Sequence, residues 1–271
     1  MPVNIDQIFE QIPPFKRPLA PINDIVVPSS WAQGRTVFGG LSAGLLYQAI
    51  VNQWASPLVL RSLSAHFLRP LKVDTSFSIQ VAVLRQGKNT AVIEAQAIQD
   101  GAVCATITTC FGVARATKVV VKADDQHQMR APKRGSFLMK IPALGPAFLR
   151  HVDLDIVSGG MPFVGGKAAE YAGYMRFKKQ PAAITDAHII ALIDCWPPTV
   201  LQMIKGPAPA STLSWNLEFI HPHNPIDPSS WLGYQAVTRQ SDEGFAHTEA
   251  NIWDAEGKLI AISRQVVAVF A

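Results

Sequence analysis

The sequence predicts an α+β protein made of two tandem copies of one unit, each a long antiparallel sheet wrapped around a central apolar helix. Three observations carry this expectation. First, Thr212-Leu-Ser-Trp-Asn-Leu-Glu-Phe-Ile-His-Pro222 repeats Leu60-Arg-Ser-Leu-Ser-Ala-His-Phe-Leu-Arg-Pro70 at a spacing of 212 − 60 = 152 residues, with Ser62/Ser214, Phe67/Phe219 and Pro70/Pro222 coinciding without a gap. Each copy alternates side-chain type and ends at proline, where a strand stops because the next N–H is missing from the ladder. Second, each copy is followed by a β-rich run, a turn, another β-rich run, then Asp100-Gly101 or Glu256-Gly257 and a final apolar run. Third, successive strands are joined by short turns, and the helices that parallel crossovers need are absent.

Composition sets the outer bounds. With 271 residues and 48% hydrophobic content the chain can bury one or two cores, and the duplication favours two. We divide it into 1–117, a first unit with a lead-in; 118–166, a linker; and 167–271, the second unit. The net charge of +4 is small and not strongly clustered, so no nucleic-acid partner is expected. Cys104, Cys110 and Cys195 are an odd number without CxxC spacing, which indicates neither a disulfide framework nor a zinc site and fits a reducing, cytoplasmic location. Residues 1–16 carry acids and prolines where a signal peptide needs a basic start and an apolar run. No run approaches the ~18 apolar residues of a membrane span.

Residues 1–30 are punctuated by Pro13-Pro14, Pro21 and Pro28, and their apolar residues can lie against a surface without forming long elements. The run from Phe38 to Trp54 has Ser42, Gln48, Asn52 and Gln53 as its only polar breaks, so it reads as a helix buried on most sides. Gly39 and Gly40 at its start let backbone or a ligand approach the free N–H groups of the first turn. Strands follow near 60–69, 76–85, 90–99 and 102–113, rich in Val, Ile, Thr and Phe, with turns at Gln86-Gly87 and Asp100-Gly101. From Lys118 the composition shifts to charge and turn formers, among them Asp125, Arg130, Lys133-Arg134 and Gly135, then Pro142 and Pro146. That basic cluster reads as a solvated face.

The glycine pairs Gly159-Gly160 and Gly165-Gly166 precede an alternating run, Ala169 to Phe177, expected as the first strand of the second unit. A second apolar helix follows from Ile184. Thr185 suits its N-cap, Asp186 suits the positive end of its macrodipole, and Pro197-Pro198 stop it. Asp194 is different, because it lies in an apolar run at the negative end, where a carboxylate is unfavourable by up to ~1 kcal/mol before any burial cost. The first helix contains no carboxylate. The final run, Lys258 to Phe270, reads as a central strand whose apolar half is interrupted by Gln265. On residues alone, Asp194 can also be a solvent-facing acid at a kink, Gln265 an outward strand residue and Thr212 an ordinary strand residue.

From about Phe38 to Phe270 the chain resembles the acyl-CoA thioesterase II family, whose architecture is a double hot-dog. The matching signatures are Phe38-Gly39-Gly40, Phe67-Leu-Arg-Pro70, Ile98-Gln-Asp-Gly101 and the Thr212 to Pro222 strand, in this order across both halves. The resemblance implies hydrolysis of fatty acyl-CoA, without metal or other cofactor, by a catalytic set that falls on Asp194, Thr212 and Gln265. In that chemistry Asp194 takes a proton from a water that Thr212 and Gln265 hold in line with the thioester carbonyl. Gly39 and Gly40 are the expected substrate-binding positions, where a helix N-terminus would polarise that carbonyl. Some members of the family carry a histidine where Ser64 stands, so Ser64 is assigned no role, and the 118–166 segment matches no motif.

A hot-dog enoyl-CoA hydratase and a non-catalytic acyl-CoA binding protein are the alternatives. The hydratase usually relies on an Asp/His pair a few residues apart on a hot-dog helix; Asp186 and His188 are two apart and point to different faces. A mere binder has no reason to keep three polar residues. A serine hydrolase would need a G-x-S-x-G elbow, which is absent. The run containing Ile79, Val81 and Val83 is apolar in both registers, so both sheet faces are expected to be covered, which predicts a homodimer or homotetramer of the double unit.

Overall fold

The computed structural model describes residues 3–14, 19–54, 56–123, 125–133 and 145–270. In chain order its elements are α1 (Ile5–Phe9), β1 (Ile22–Ile25), β2 (Ala32–Gln33), β3 (Thr36–Val37), α2 (Gly39–Gln53), β4 (Val59–Phe67), β5 (Phe77–Gln86), β6 (Thr90–Gln99), β7 (Ala102–Gly112), β8 (Val152–Ser158), β9 (Glu170–Phe177), α3 (Asp186–Ile193), β10 (Ala210–Phe219), β11 (Leu232–Asp242), β12 (Phe245–Trp253) and β13 (Leu259–Val269). All strands except the β2–β3 hairpin join one antiparallel sheet in the order β1-β5-β6-β7-β4-β10-β13-β12-β11-β9-β8. The two copies therefore lie edge to edge, and the strands that join them, β4 and β10, are the two repeated segments themselves. Their register pairs Ser62 with Glu218, Ser64 with Asn216 and His66 with Ser214.

The concave face of this sheet wraps α2 and α3. Leu41, Leu45, Leu46 and Ile50 of α2 are at most 1% exposed, and burial of this kind contributes roughly 1.5–3 kcal/mol for each large aliphatic side chain. They meet inward residues of the strands such as Ile79, Ile93 and Ile107. The lead-in docks on the same core: α1 buries Ile5, Ile8 and Phe9, Asp6 Oδ1 lies 3.1 Å from His188 Nε2 of α3, and β1 extends the sheet beside β5.

Three expectations are corrected. The strand at 169–177 is not the first of the second half, because β8, inside the stretch read as a linker, precedes it and forms the sheet edge beside β9. Its Asp155 is buried and takes both terminal nitrogens of Arg130 at 2.8 and 2.9 Å, so one residue of the supposed solvated basic face closes a buried ion pair. Arg134, Gly135 and Pro142 lie outside the described residues. Nor is the outer sheet face continuously apolar. Ile79, Val81 and Val83 all pack toward the core, while Gln80 and Ala82 between them are exposed. Several outward positions are polar, as with Thr106, whose hydroxyl donates to Glu94, and Arg239 and Arg264, which both pair with Glu249, while Leu84 and Leu213 are exposed apolar residues among them. A continuous apolar face is therefore no ground for a homodimer or homotetramer, and only scattered residues such as Leu84 remain exposed there.

Candidate active site

The position of Asp194 follows from how α2 and α3 meet. Gly40 abuts the Ala191 carbonyl and Gly44 the Ala187 carbonyl, so the helices run antiparallel in close contact. A Cβ on Gly40 would lie 2.8 Å from both that carbonyl and Asp194 Cβ, and one on Gly39 would lie 2.9 Å from Asp194 Oδ2. No side chain fits there, which is why the first turn of α2 is glycine. Asp194, the C-cap of α3, thus stands at the negative end of its own helix and at the positive end of the other. The Gly40 N–H donates to its carboxylate. The unfavourable placement read from the sequence is offset by the start of a helix 194 − 40 = 154 residues earlier in the chain, a partner no local pattern encodes.

Thr212 reaches the site through a β-bulge. Thr212 pairs with Val267 and Ser214 with Val266, which leaves Leu213 as the extra residue. The bulge puts Thr212 on the inner face together with Trp215 and its partner Gln265, although Thr212 and Trp215 are three apart. Leu213 is turned out and 42% exposed. The repeat carries the same irregularity at Arg61, between Leu60 and Ser62.

The three polar residues form a chain of hydrogen bonds. The Thr212 hydroxyl donates to Gln265 Oε1 at 3.1 Å, and Gln265 Nε2 donates to Asp194 Oδ1 at 3.0 Å. Burial pushes the Asp194 carboxyl up to about 7, while the Gln265 amide and the Gly40 N–H pull in the other direction. Desolvation dominates because the carboxyl is held against the start of α2, where Gly39 and Gly40 leave no room for a side chain, next to the buried Cys195 and Trp196. A carboxylate so poised can accept a proton from water near neutral pH. Burial also holds the Cys195 thiol well above its ordinary value, and raises that of Cys104, so neither cysteine in the cleft is an activated nucleophile.

Asp194, Thr212, Gln265 and Gly39 line one cleft of about 560 Å³. Toward the first half it is bordered by Gln33, Thr36 and Arg69, and toward the second by Pro162, Phe163, Leu201, Ala210 and Phe270. Gly40 is turned to Asp194 and contributes its N–H there rather than to the open cleft. Among the described residues no group of three His, Cys, Asp or Glu side chains could hold a metal ion. Asp186 and His188 do not meet: Asp186 accepts the Tyr47 hydroxyl at 3.0 Å and His188 turns to Asp6. The equivalent place in the other copy lacks the set, since Leu60 stands for Thr212 and the position paired with Leu63 is Thr109, which bonds to the Ile93 carbonyl.

Several lining residues carried no readable signal. Phe148 stacks on Phe38 at 3.9 Å, yet it lies in a stretch without motif. Phe163 stands between the two glycine pairs, whose spacing was the one hint that backbone there takes unusual conformations.

Residues 27–112 match the family model of the acyl-CoA thioesterase N-terminal domain, and residues 123–269 that of the acyl-CoA thioesterase C-terminal domain. No curated protein matches the chain. Among solved structures, the chain is similar to a conserved hot-dog protein of Alicyclobacillus acidocaldarius at 22% identity and a TM-score of 0.77, over 90% of this chain and 91% of that one. It is similar to a tesB protein of Mycobacterium avium subsp. paratuberculosis at 14% identity and a TM-score of 0.78, over 99% and 100%. A third likeness is to an acyl-CoA thioesterase II, TesB2, of Mycobacterium marinum, at 18% identity and a TM-score of 0.68, over 87% and 90%. At these identities the likeness is one of fold, a double hot-dog.

Proposed function

We propose that this chain, which belongs to the acyl-CoA thioesterase family across both of its halves, hydrolyses fatty acyl-CoA to the free fatty acid and CoA. A water molecule attacks the thioester carbonyl carbon and gives a proton to the Asp194 carboxylate as the new C–O bond forms. Thr212 and Gln265 hold that water. The Thr212 hydroxyl donates to Gln265, so its lone pairs are free to accept from the water, and the second N–H of the Gln265 amide can donate to it. The tetrahedral intermediate then expels the CoA sulfur, which takes the proton back from Asp194, and the C–S bond breaks. No covalent enzyme intermediate forms. With the Gly40 N–H engaged by Asp194, we assign polarisation of the carbonyl oxygen to the Gly39 N–H at the positive end of α2.

The observation that carries this reading is the Gln265 amide bridging the Thr212 hydroxyl and a carboxyl raised to about 7 inside a mainly apolar cleft. A binding protein would have no use for such a carboxyl, and a hydratase would need the Asp/His pair that does not form. Incubation with palmitoyl-CoA and a thiol reagent tests it: thiol release that disappears in Asp194→Asn is expected, and no release from palmitoyl-CoA or any shorter acyl-CoA would overturn it.

We place the enzyme in the cytoplasm, since Cys104, Cys110 and Cys195 are free thiols. No helix among the described residues is long and apolar enough to cross a membrane. We also propose a homodimer or homotetramer, now on different grounds: Val119, Val120 and Val121 are 76%, 76% and 89% exposed, an apolar run that association would cover.

A further inference from the structure

Phe163 has a backbone conformation that a bulky residue rarely takes. Its φ is +68°, in the left-handed region, and the other described non-glycine residues there are Asp24, Asp74, Asp100 and Glu243. The short aspartate side chain tolerates that region and Glu243 sits in the β11–β12 turn, whereas a large aromatic there is a genuine outlier. The surrounding chain over-determines it. Phe163 N–H donates to the Leu201 carbonyl at 2.7 Å and its carbonyl accepts from Gly206 N–H at 3.0 Å. On either side Gly165 and Gly166 bond to Ile204 and Gln202, and Gly160 N–H bonds to the Gln202 side chain, whose amide in turn holds Glu170 and Thr199 carbonyls. Glycine would satisfy all these backbone bonds without strain. An aromatic kept there under strain points to a task for the ring.

The ring has a definite place. It packs on the cluster of Val200, Leu201, Ala246 and Val267, and it lines the cleft that holds Asp194, Thr212 and Gln265. Val267, a member of that cluster, is the direct cross-strand partner of Thr212, so the apolar patch on which Phe163 packs adjoins the residue whose hydroxyl is assigned to the water. Around it the lining is apolar, with Pro162, Leu201, Ala210 and Phe270, whereas Gln33, Thr36 and Arg69, the one cation among the described lining residues, come from the first half, among apolar neighbours such as Phe67 and Leu71. An acyl chain belongs with the wholly apolar set around Phe163, and the phosphate-bearing CoA arm with Arg69.

We infer that Phe163 is the wall of the acyl subsite, limiting the length of chain accepted, and that the fatty tail runs from Asp194 toward Phe163 while the CoA arm leaves past Arg69. This rests on the thioesterase reading for its substrate, and the test separates the two. Thiol release is compared for octanoyl-, decanoyl-, dodecanoyl- and palmitoyl-CoA in the parent enzyme, Phe163→Ala and Phe163→Gly. Phe163→Gly removes the ring and relieves the backbone together, so it folds even where Phe163→Ala does not. The expected result is a shift of preference toward longer chains by at least about tenfold in relative kcat/KM, the scale of one extra methylene in an apolar pocket. An unchanged length profile in folded Phe163→Gly, or an equal loss on all chain lengths, would overturn the inference while leaving the hydrolase intact. Calorimetric binding of the corresponding free fatty acids reads the same wall without turnover. If no acyl-CoA is hydrolysed, the thioesterase reading fails, and a length dependence of fatty-acid binding that moves in Phe163→Gly still sustains the wall, whereas one that does not move sinks it.

Discussion

The Ser64 hydroxyl donates to Asn216 Oδ1 at 2.7 Å, and these two residues are each other's counterpart in the duplication, since 216 − 64 = 152 is also the offset of the repeated segments. They face one another directly across the β4–β10 ladder. The pseudo-twofold axis that relates the halves therefore passes between them, and the pair sits on the outer face of the sheet, opposite the helices and Asp194.

That location predicts a purely structural pair. Ser64→Ala should change kcat/KM by less than about twofold and cost at most the ~0.5–1.5 kcal/mol of one exposed hydrogen bond. Thermal unfolding and thiol release measured on one preparation check both, and a large loss of turnover would put the chemistry on the wrong side of the sheet.

Asp194→Asn keeps the shape and removes the base, so turnover should drop by roughly 10²–10⁴ while the circular dichroism spectrum is unchanged. Turnover equal to that of the parent would remove Asp194 from the mechanism.

The carboxyl raised to about 7 gives two pH dependences. Activity needs the carboxylate, so kcat should rise with pH through about 7 and level off above it. Stability runs the opposite way. The folded state still holds a proton that the unfolded chain, with an ordinary value of 3.8, has released, so stability falls as pH rises from about 4 to about 7. Asp194→Asn lacks this contribution, and its Tm relative to the parent should therefore be higher at pH 8 than at pH 4. A Tm difference that is the same at both pH values would mean that Asp194 is not held protonated by burial.

Thr212→Val and Gln265→Ala should each reduce kcat less than Asp194→Asn does. Because all three are linked through one amide, the double variant should lose less than the product of the single losses. Strictly multiplicative losses would indicate separate sites.

Gly40→Ala and Gly44→Ala make a matched pair. Each new Cβ meets a carbonyl of α3, at 2.8 Å and 2.9 Å respectively, so both should destabilise by about 1–3 kcal/mol through overpacking. Only Gly40→Ala also presses on Asp194, and it alone should lower kcat by more than about tenfold at a temperature where both are folded, since small displacements of a catalytic group are costly. Equal activity of the two variants would show that the contact between Gly40 and Asp194 does not tune the base.

Sequence alone carried the architecture because each of its signals is local or repeated. The apolar run from Gly39 to Gln53, the four strands between 59 and 112 and the proline-terminated repeat are properties of a few adjacent residues, and duplication made each visible twice. Edge strand β8 escaped because its seven residues contain two acids, one of which is buried against Arg130, a compensation that no alternation pattern contains. The three polar residues of the cleft stood out as misfits, but why they are tolerated could not be read from them. Gln265 and Thr212 share a face only because a bulge at Leu213 breaks the alternation, Asp194 is held by Gly40 at the start of a helix far earlier in the chain, and Phe163 owes its conformation to backbone bonds from residues 201–206. Such contacts arise between segments far apart in the chain, where packing and desolvation, rather than propensity, set the free energy.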